Sequence, residues 1–245
     1  MKKKIAALLL AAMMCTLAAC GAKDATADDE TNDKDTLVVA MELAYPPFET
    51  KDADGNPSGV SVDFVKAFGE YIGKDVVIEN IAWDGLIPAL QTGKADMVMS
   101  SMTITDERKE KVDFSEPYAN ALLALLTNKD SGITSIEDMN VDGRKIAVKT
   151  GSTGYFYAQK NLPNAEIIAL ADESACVTEV AQGKADGFIY DQLTIYRNWQ
   201  ANLDTTGAVF IPFQEADQWG IAVQKGNTEL LDDLNEFIEK YTAEG

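Results

Sequence analysis

ALQTGKADMVMSS at residues 89–101 and EVAQGKADGFIYD at residues 179–191 carry the same four residues, GKAD, in the same setting. In each copy an apolar stretch at helical spacing runs into a glycine, Gly93 or Gly183, which is a helix stop signal. An Ala-Asp pair then leads into an apolar run of strand length. Five residues beyond Asp96 stands Ser101, and five beyond Asp186 stands Asp191. Helix, stop, strand and polar strand end therefore occur twice, which is the signature of two α/β units of similar construction.

Working outward, TLVVAM at 36–41 reads as a buried strand and YPPFE at 45–49 as a rigid loop, because each proline fixes its own φ and restricts its neighbour. DADGNPSG at 52–59 is turn chemistry. Val60, Phe64, Ala67, Phe68 and Tyr71 recur at helical spacing and end at Gly73. VVIENIAW is expected as a second strand, and Asp84 as the cap of a helix bearing Leu86, Ile87 and Leu90. ADMVMSSM is expected as a third strand. This β-α-β-α-β order implies parallel strands with right-handed crossovers. In the second half, Thr134 and Glu137 form an expected capping box. RKIAVKTG is a strand, GSTGYFYAQKN a turn entering a helix, AEIIAL a strand, 173–182 a helix and ADGFIYD a strand. QWGIAVQKG is expected as one strand, followed by a helix with Leu230, Leu234, Phe237 and Ile238 on one face.

The first 19 residues read as a secretory signal: Lys2, Lys3 and Lys4, an apolar run, then small residues. Leu17-Ala18-Ala19-Cys20-Gly21 looks like a bacterial lipobox, which makes Cys20 the expected lipid attachment site. Acidic, Thr-rich residues after it, to position 35, form an expected tether, since they lack the apolar surface to order themselves. An acyl anchor and a tether hold a domain near a membrane without inserting it. No other segment approaches the roughly 20 apolar residues of a membrane span. The formal net charge is −19; removing residues 1–19, with three lysines and no acid, takes it to −22. Such acidity argues against nucleic-acid binding, which needs a basic footprint. Cys176 is left without a partner, so no disulfide framework is expected. The sequence has no histidine, which removes the commonest metal ligand and general base. No metal and no cofactor is expected.

Ligands of open α/β sheets sit beyond the carboxyl ends of the strands. There SSMTITDERK offers Ser101, Thr103 and Arg108, whose guanidinium fork pairs bidentately with a carboxylate. On charge alone, Arg108 reads more readily as a surface residue among Asp106, Glu107 and Glu110. TGSTG at 150–154 places backbone donors and a helix start together, either an anion site or an ordinary Gly/Ser loop. Asp191 beside Tyr190 is an acceptor for an ammonium group or an exposed loop acid. Tyr45, Phe48 and Trp83 stand at strand ends, as ligand walls or as core. A carboxylate clamp, an ammonium acceptor and aromatic walls together describe a site for a free α-amino acid.

YPPFE, WDGLIPALQTGKAD, SSMTITDERK, VDFSEPY, AVKTGSTG, ADGFIYD and WGIAVQKGN, in this order, resemble the extracytoplasmic solute-binding proteins (family 3) of ABC transporters for polar amino acids. The resemblance covers residue 36 to the end. It implies an α/β, two-lobed, periplasmic-binding-protein-like (type II) flytrap with hinge crossings near 119–125 and 213–219. The first lobe would be 36–120 plus 218–245, and the second 121–217. By position, Arg108 resembles the family arginine that grips the ligand carboxylate, helped by Ser101, Thr103 and Thr153. Asp191 resembles the aspartate that holds the α-ammonium, assisted by the backbone carbonyl of Ser100 or Ser101. Tyr45 and Trp83 occupy aromatic wall positions, whereas Phe48 falls to the core. Glu42 and Lys149 would set side-chain specificity. AVKTGSTG is most like glutamine-binding members, and an acceptor plus a donor suits an amide, so glutamine is the first expectation. A basic amino acid is the runner-up; alternatively Glu42 and Lys149 pair with each other and leave selectivity to shape. Family members usually continue through a short turn and a further helix, whereas this sequence ends at Thr242-Ala243-Glu244-Gly245, through truncation or a different completion of the first lobe.

The expectation is therefore a monomeric, lipid-anchored, extracytoplasmic receptor that closes on an amino acid and passes it to a membrane permease, with no enzymatic activity. Two alternatives stand beside it. One is a cyclohexadienyl or arogenate dehydratase-like enzyme with Glu42 as acid; the other is the ligand-sensing subunit of a signalling partner.

Overall fold

The computed structural model describes residues 35–212 and 214–244. The signal, Cys20 and nearly all of the expected tether lie outside the described residues. In chain order come β1 (Thr36–Met41), the hairpin β2 (Thr50–Lys51) and β3 (Pro57–Ser58), α1 (Val60–Ile72), β4 (Asp75–Asn80), α2 (Leu86–Gln91) and β5 (Met97–Val98). Then follow α3 (Asp106–Lys109), β6 (Val112–Phe114), β7 (Ala119–Ala121), β8 (Leu123–Asn128), β9 (Lys145–Lys149) and α4 (Thr153–Asn161). The remainder is β10 (Glu166–Leu170), α5 (Glu173–Ala181), β11 (Gly187–Asp191), α6 (Gln192–Ala201), β12 (Thr206–Phe210), β13 (Asp217–Trp219), β14 (Ala222–Gln224) and α7 (Thr228–Glu244).

Two five-stranded sheets result, in the orders β4-β1-β5-β14-β6 and β10-β9-β11-β8-β12. The expected parallel unit is present in each: β1 lies between β4 and β5, and β9 between β10 and β11. Each sheet is then extended through two antiparallel pairings, β5 to β14 to β6 in the first and β11 to β8 to β12 in the second. Between the sheets, β7 and β13 pair antiparallel as a two-stranded ribbon, Asp217 opposite Ala121 and Trp219 opposite Ala119. The chain thus leaves the first sheet through β7 and returns through β13, giving the two-lobed fold with two crossings.

Each sheet is covered on both faces, so its strands are continuous apolar runs. Val39, Met41 and Met97 pack with α1 and α7 through Phe64, Phe68, Leu234 and Phe237. Ala40 and Val98 point the other way, against Leu86 and Leu90 of α2. In the second sheet Val148 and Ile189 pack toward Ala158 of α4, whereas Ala147 and Phe188 pack toward Val177 and Val180 of α5. Among the described residues no helix is long and apolar enough to cross a membrane.

The GKAD copies do the same structural work in both sheets. Gly93 and Gly183 both adopt φ 71°, a left-handed conformation that glycine takes without a Cβ clash. Ala95 and Ala185 are buried beneath the helix each copy ends. Asp96 donates its N–H to the Val38 carbonyl (2.9 Å) and accepts the Val38 N–H at Oδ2 (2.7 Å). Asp186 does likewise with Lys145, at 2.8 Å for both bonds. Each aspartate therefore clamps the start of the neighbouring strand and fixes the register that delivers Ser101 or Asp191.

Four local expectations are corrected. Asp84 lies inside a 3-10 turn, Trp83–Gly85, and α2 has Gly85 at its N-cap position with no side-chain cap. At 134–138 the acceptor is Asp138, not Glu137: its Oδ2 takes the Thr134 and Ser135 N–H groups and the Thr134 hydroxyl. QWGIAVQKG is two strands, β13 and β14, because its first part pairs in the ribbon and its second in the first sheet. The strand expected over 95–102 is only β5, Met97–Val98, and farther on Ser101 turns the backbone to φ 46°.

Candidate functional site

The carboxyl ends of both sheets converge on one cavity that also touches the ribbon. Nine of the ten expected binding residues border it: Glu42, Tyr45, Trp83, Ser100, Ser101, Thr103, Arg108, Thr153 and Asp191. The tenth, Lys149, borders an adjoining chamber with Glu42, Tyr45, Asp172 and Glu173.

Arg108 is not a surface arginine. Its short helix α3 begins at Thr105, whose Oγ1 accepts the Arg108 N–H (3.2 Å), and this cap turns the side chain inward to 7% exposure. Nη1 donates to the Thr103 carbonyl at 2.6 Å and Nη2 to the Gly151 carbonyl at 3.0 Å, a contact between the two lobes. The guanidinium lies 5.2 Å from the centre of the Trp83 ring. Burial lowers its pKa to about 10, with Asp217 opposing the shift, and it remains cationic at neutral pH.

Asp191 ends β11 and caps α6, its Oδ1 accepting the Thr194 N–H at 3.0 Å. Its Oδ2 is buried and has no hydrogen-bond partner. A carboxylate oxygen in that position awaits a donor, because leaving it unmatched is unfavourable. The Tyr45 hydroxyl lies against the same carboxyl: its pKa is raised by burial, then by the Asp191 charge and by hydrogen bonding to the Asp191 side chain. Tyr45 is also held edge-on by Tyr190 and Trp219, at 6.2 and 5.9 Å between ring centres. Phe48, half-buried, stacks on Tyr45 and packs against Trp219.

Between these poles, Ser100 Oγ accepts the Glu42 N–H at 3.0 Å. Ser101 is the one non-glycine residue with positive φ among the described residues. Thr153 opens α4, whose first turn is capped by Ser152 through the Tyr155 N–H (3.2 Å). Lys149 pairs with Glu42, with side-chain exposures of 4% and 14%, and its Nζ lies 5.3 Å from the Trp83 ring centre. The pairing alternative is therefore the arrangement observed. Arg197 donates to the Pro46 carbonyl, a further contact between lobes.

Two carboxyl groups on the cavity were not anticipated. Asp217, on the returning ribbon strand, has its pKa raised by burial, against the lowering effects of Thr153 and Arg108. Finding it required the β7–β13 pairing, which no local pattern announces. Glu49 is fully buried, accepts the Ser61 and Ser101 hydroxyls, and ends the YPPFE motif that marks the loop. Taken together, the cavity offers a buried cation on one wall, an unmatched carboxylate oxygen on another and aromatic rings between them. That arrangement is complementary in charge to a small zwitterion. Among the described residues no group of three or more acidic or cysteine side chains is placed to hold a metal ion.

The model of the bacterial extracellular solute-binding proteins, family 3, matches residues 37–245. A probable histidine-binding protein of Neisseria gonorrhoeae is 34% identical over all of this chain and 92% of its own length. The crystal structure of an ancestral amino acid-binding protein, described as a precursor of cyclohexadienyl dehydratase, superposes with a TM-score of 0.78 at 37% identity, covering 85% of this chain and 90% of that one. An ancestral arginine-binding protein bound to glutamine superposes with a TM-score of 0.78 at 34% identity, covering 86% and 93%. The chain belongs to the family 3 extracellular solute-binding proteins.

Proposed function

We propose that this family member is the receptor of an ABC transporter and closes on a free polar amino acid. The observation that carries the reading is the opposed pair of buried charges, Arg108 and the open Oδ2 of Asp191, supplied by different sheets to one cavity. The ligand carboxylate pairs with Arg108 and its ammonium group with Asp191 Oδ2. Each charge of the zwitterion then meets a desolvated opposite charge, which rewards closure of the lobes. Trp83 and Tyr45 wall the carbon chain. Its tip faces the Glu42–Lys149 pair, which presents an acceptor and a donor together, and this favours an uncharged amide, with glutamine first. A second reading rests on the adjoining chamber, where Glu42, Asp172 and Glu173 outnumber Lys149 and favour a cationic side chain. That the similar ancestral protein named for arginine was also solved with glutamine supports weighing these two classes together. Glu42 is engaged by Lys149, which favours a receptor over an acid catalyst. Anchoring through Cys20 on the outer face of the membrane belongs to the same proposal.

Isothermal titration with each of the twenty amino acids tests the reading. Binding of at least one polar amino acid below about 100 μM is expected, and no binding at that level sinks the receptor function. The rank of glutamine against arginine and histidine decides between the two ligand classes.

A further inference from the structure

Beneath Ser101 lies a buried polar cluster that the ligand contacts do not use. Glu49 has no exposed surface and no cation bonded to it. Its Oε2 accepts the Ser61 hydroxyl at 2.7 Å and the Ser101 hydroxyl at 3.2 Å. Its Oε1 has no partner, and neither has the buried hydroxyl of Tyr118, which abuts Ser101. The cluster therefore joins three separate segments: the end of the YPPFE loop, the first turn of α1 and the residue before the ribbon strand β7. All converge on Ser101, whose left-handed backbone is unfavourable for a residue with a Cβ. Such a conformation persists where its surroundings over-determine it, and the Glu49–Ser101 bond, with the Tyr118 hydroxyl against the same residue, supplies that support.

We propose that Glu49 is a positioning residue that carries a proton in the working receptor and holds Ser101 in its left-handed conformation, so that loss of this proton weakens amino acid binding. The inference rests on the reading of the cavity as an amino acid site. A carboxylate here would be a buried charge with two hydroxyl donors and no cation, which is strongly disfavoured. Burial accordingly pushes the Glu49 pKa up to about 8; the Ser61 and Ser101 hydroxyls lower it, Glu42 raises it and Lys149 lowers it. Of the other groups around it, Tyr118 and Tyr190 are phenols whose own pKa values are raised, by burial first and with Glu49 contributing. Both stay neutral through the range of interest. Arg108, Asp191 and Asp217 border the same cavity. The sign follows: the proton is held below pH 8 and lost as pH rises through it, and affinity declines in that direction. If only the protonated receptor is competent, the apparent Kd at pH 9 is about tenfold weaker than at pH 7.

The test titrates the full chain with L-glutamine and with L-arginine from pH 6.5 to 9.5, in wild type, Glu49→Gln and Ser101→Gly. The amide in Glu49→Gln accepts the same hydroxyls but has no proton to lose. The ratio of wild-type to variant Kd, in which titration of the ligand's own amino group cancels, should rise about tenfold between pH 7 and pH 9. In Ser101→Gly the left-handed backbone needs no support, so its alkaline loss should shrink as well; this variant keeps the test alive if Glu49→Gln does not fold. Parallel pH profiles for wild type and Glu49→Gln, or a full alkaline loss in Ser101→Gly, overturn the proposal. An absence of heat with every amino acid overturns the receptor reading and this inference with it, whereas heat with parallel profiles overturns this inference alone.

Discussion

Asp191→Asn separates two jobs that one side chain performs. Oδ1 caps α6 through the Thr194 N–H at 3.0 Å, and Oδ2 is buried without a partner. Asparagine keeps the cap, because its amide oxygen accepts the same bond and the two residues rank equally at an N-cap. It loses the negative charge proposed to meet the ligand ammonium. Truncating one partner of a desolvated charge pair costs about 2–5 kcal/mol, so affinity should fall by roughly 30-fold to several thousand-fold. Unfolding of the ligand-free protein, by contrast, should shift little, since no buried charge is stranded. Asp191→Ala completes the comparison: it should weaken binding equally and also destabilise α6 by about 0.5–2 kcal/mol through loss of the cap. Isothermal titration reads the first quantity, and urea unfolding followed by circular dichroism the second. If Asp191→Asn bound its amino acid within threefold of wild type, the assignment of Asp191 to the ammonium group would be wrong.

Arg108→Ala should lower affinity for every amino acid by about 2–5 kcal/mol, checked by the same titration, because each ligand shares the α-carboxylate. Lys149→Leu should change preference instead. It leaves Glu42 without its cation, so the arginine-to-glutamine affinity ratio in a titration panel should rise at least about tenfold. Asp96→Ala and Asp186→Ala should each destabilise the fold by about 1–3 kcal/mol in denaturant unfolding while ligand affinity holds, since both aspartates bond strand backbone away from the cavity.

Much of the site was legible because its residues sit at ends of elements that the sequence marks strongly. Gly93 and Gly183 stop helices, apolar runs follow, and the polar residue closing each run falls where ligands of α/β sheets bind. Ser101 and Asp191 fall in this way, whereas Arg108 reads on charge alone as a surface residue and takes its place only through the family resemblance. The sequence missed features that depend on partners far along the chain. No glycine or proline stands between Asp191 and Thr206 to divide α6 from β12, and β8 has no polar alternation. Asp217 reaches the cavity only because β13 pairs with β7, almost 100 residues earlier. The state of Lys149 was open for a different reason: a lysine and a glutamate 107 residues apart read equally as ligand contacts or as each other's partner, and only folding decides. Glu49 closes the YPPFE motif, yet nothing local tells a solvent-facing glutamate from one with no exposed surface.

The paired aspartates explain why two sheets so alike in construction present unlike chemistry. Asp96 and Asp186 are bound to their neighbouring strands by the same two bonds, and that fixes where the fifth residue onward emerges. What emerges differs. In the first sheet the strand ends early, Ser101 turns left-handed, and the chain has room to bring Thr103 and the cationic Arg108 to the cavity. In the second the strand runs on to Asp191, which enters α6 at once and delivers a carboxylate. The scaffold symmetry sets position, and the chain that follows each aspartate sets charge. A molecule carrying opposite charges a few ångströms apart is what such a pair of lobes can grip at both ends. Closure by the second lobe then contributes in proportion to how well both charges are matched. Exchanging the two charged groups, with Arg108→Asp and Asp191→Arg together, should therefore not restore binding: Arg108 also holds the Thr103 and Gly151 carbonyls, and Asp191 caps α6, so each side chain is tied to its own lobe. Recovery of amino acid affinity in that double variant would show that charge alone, without these anchors, defines the site.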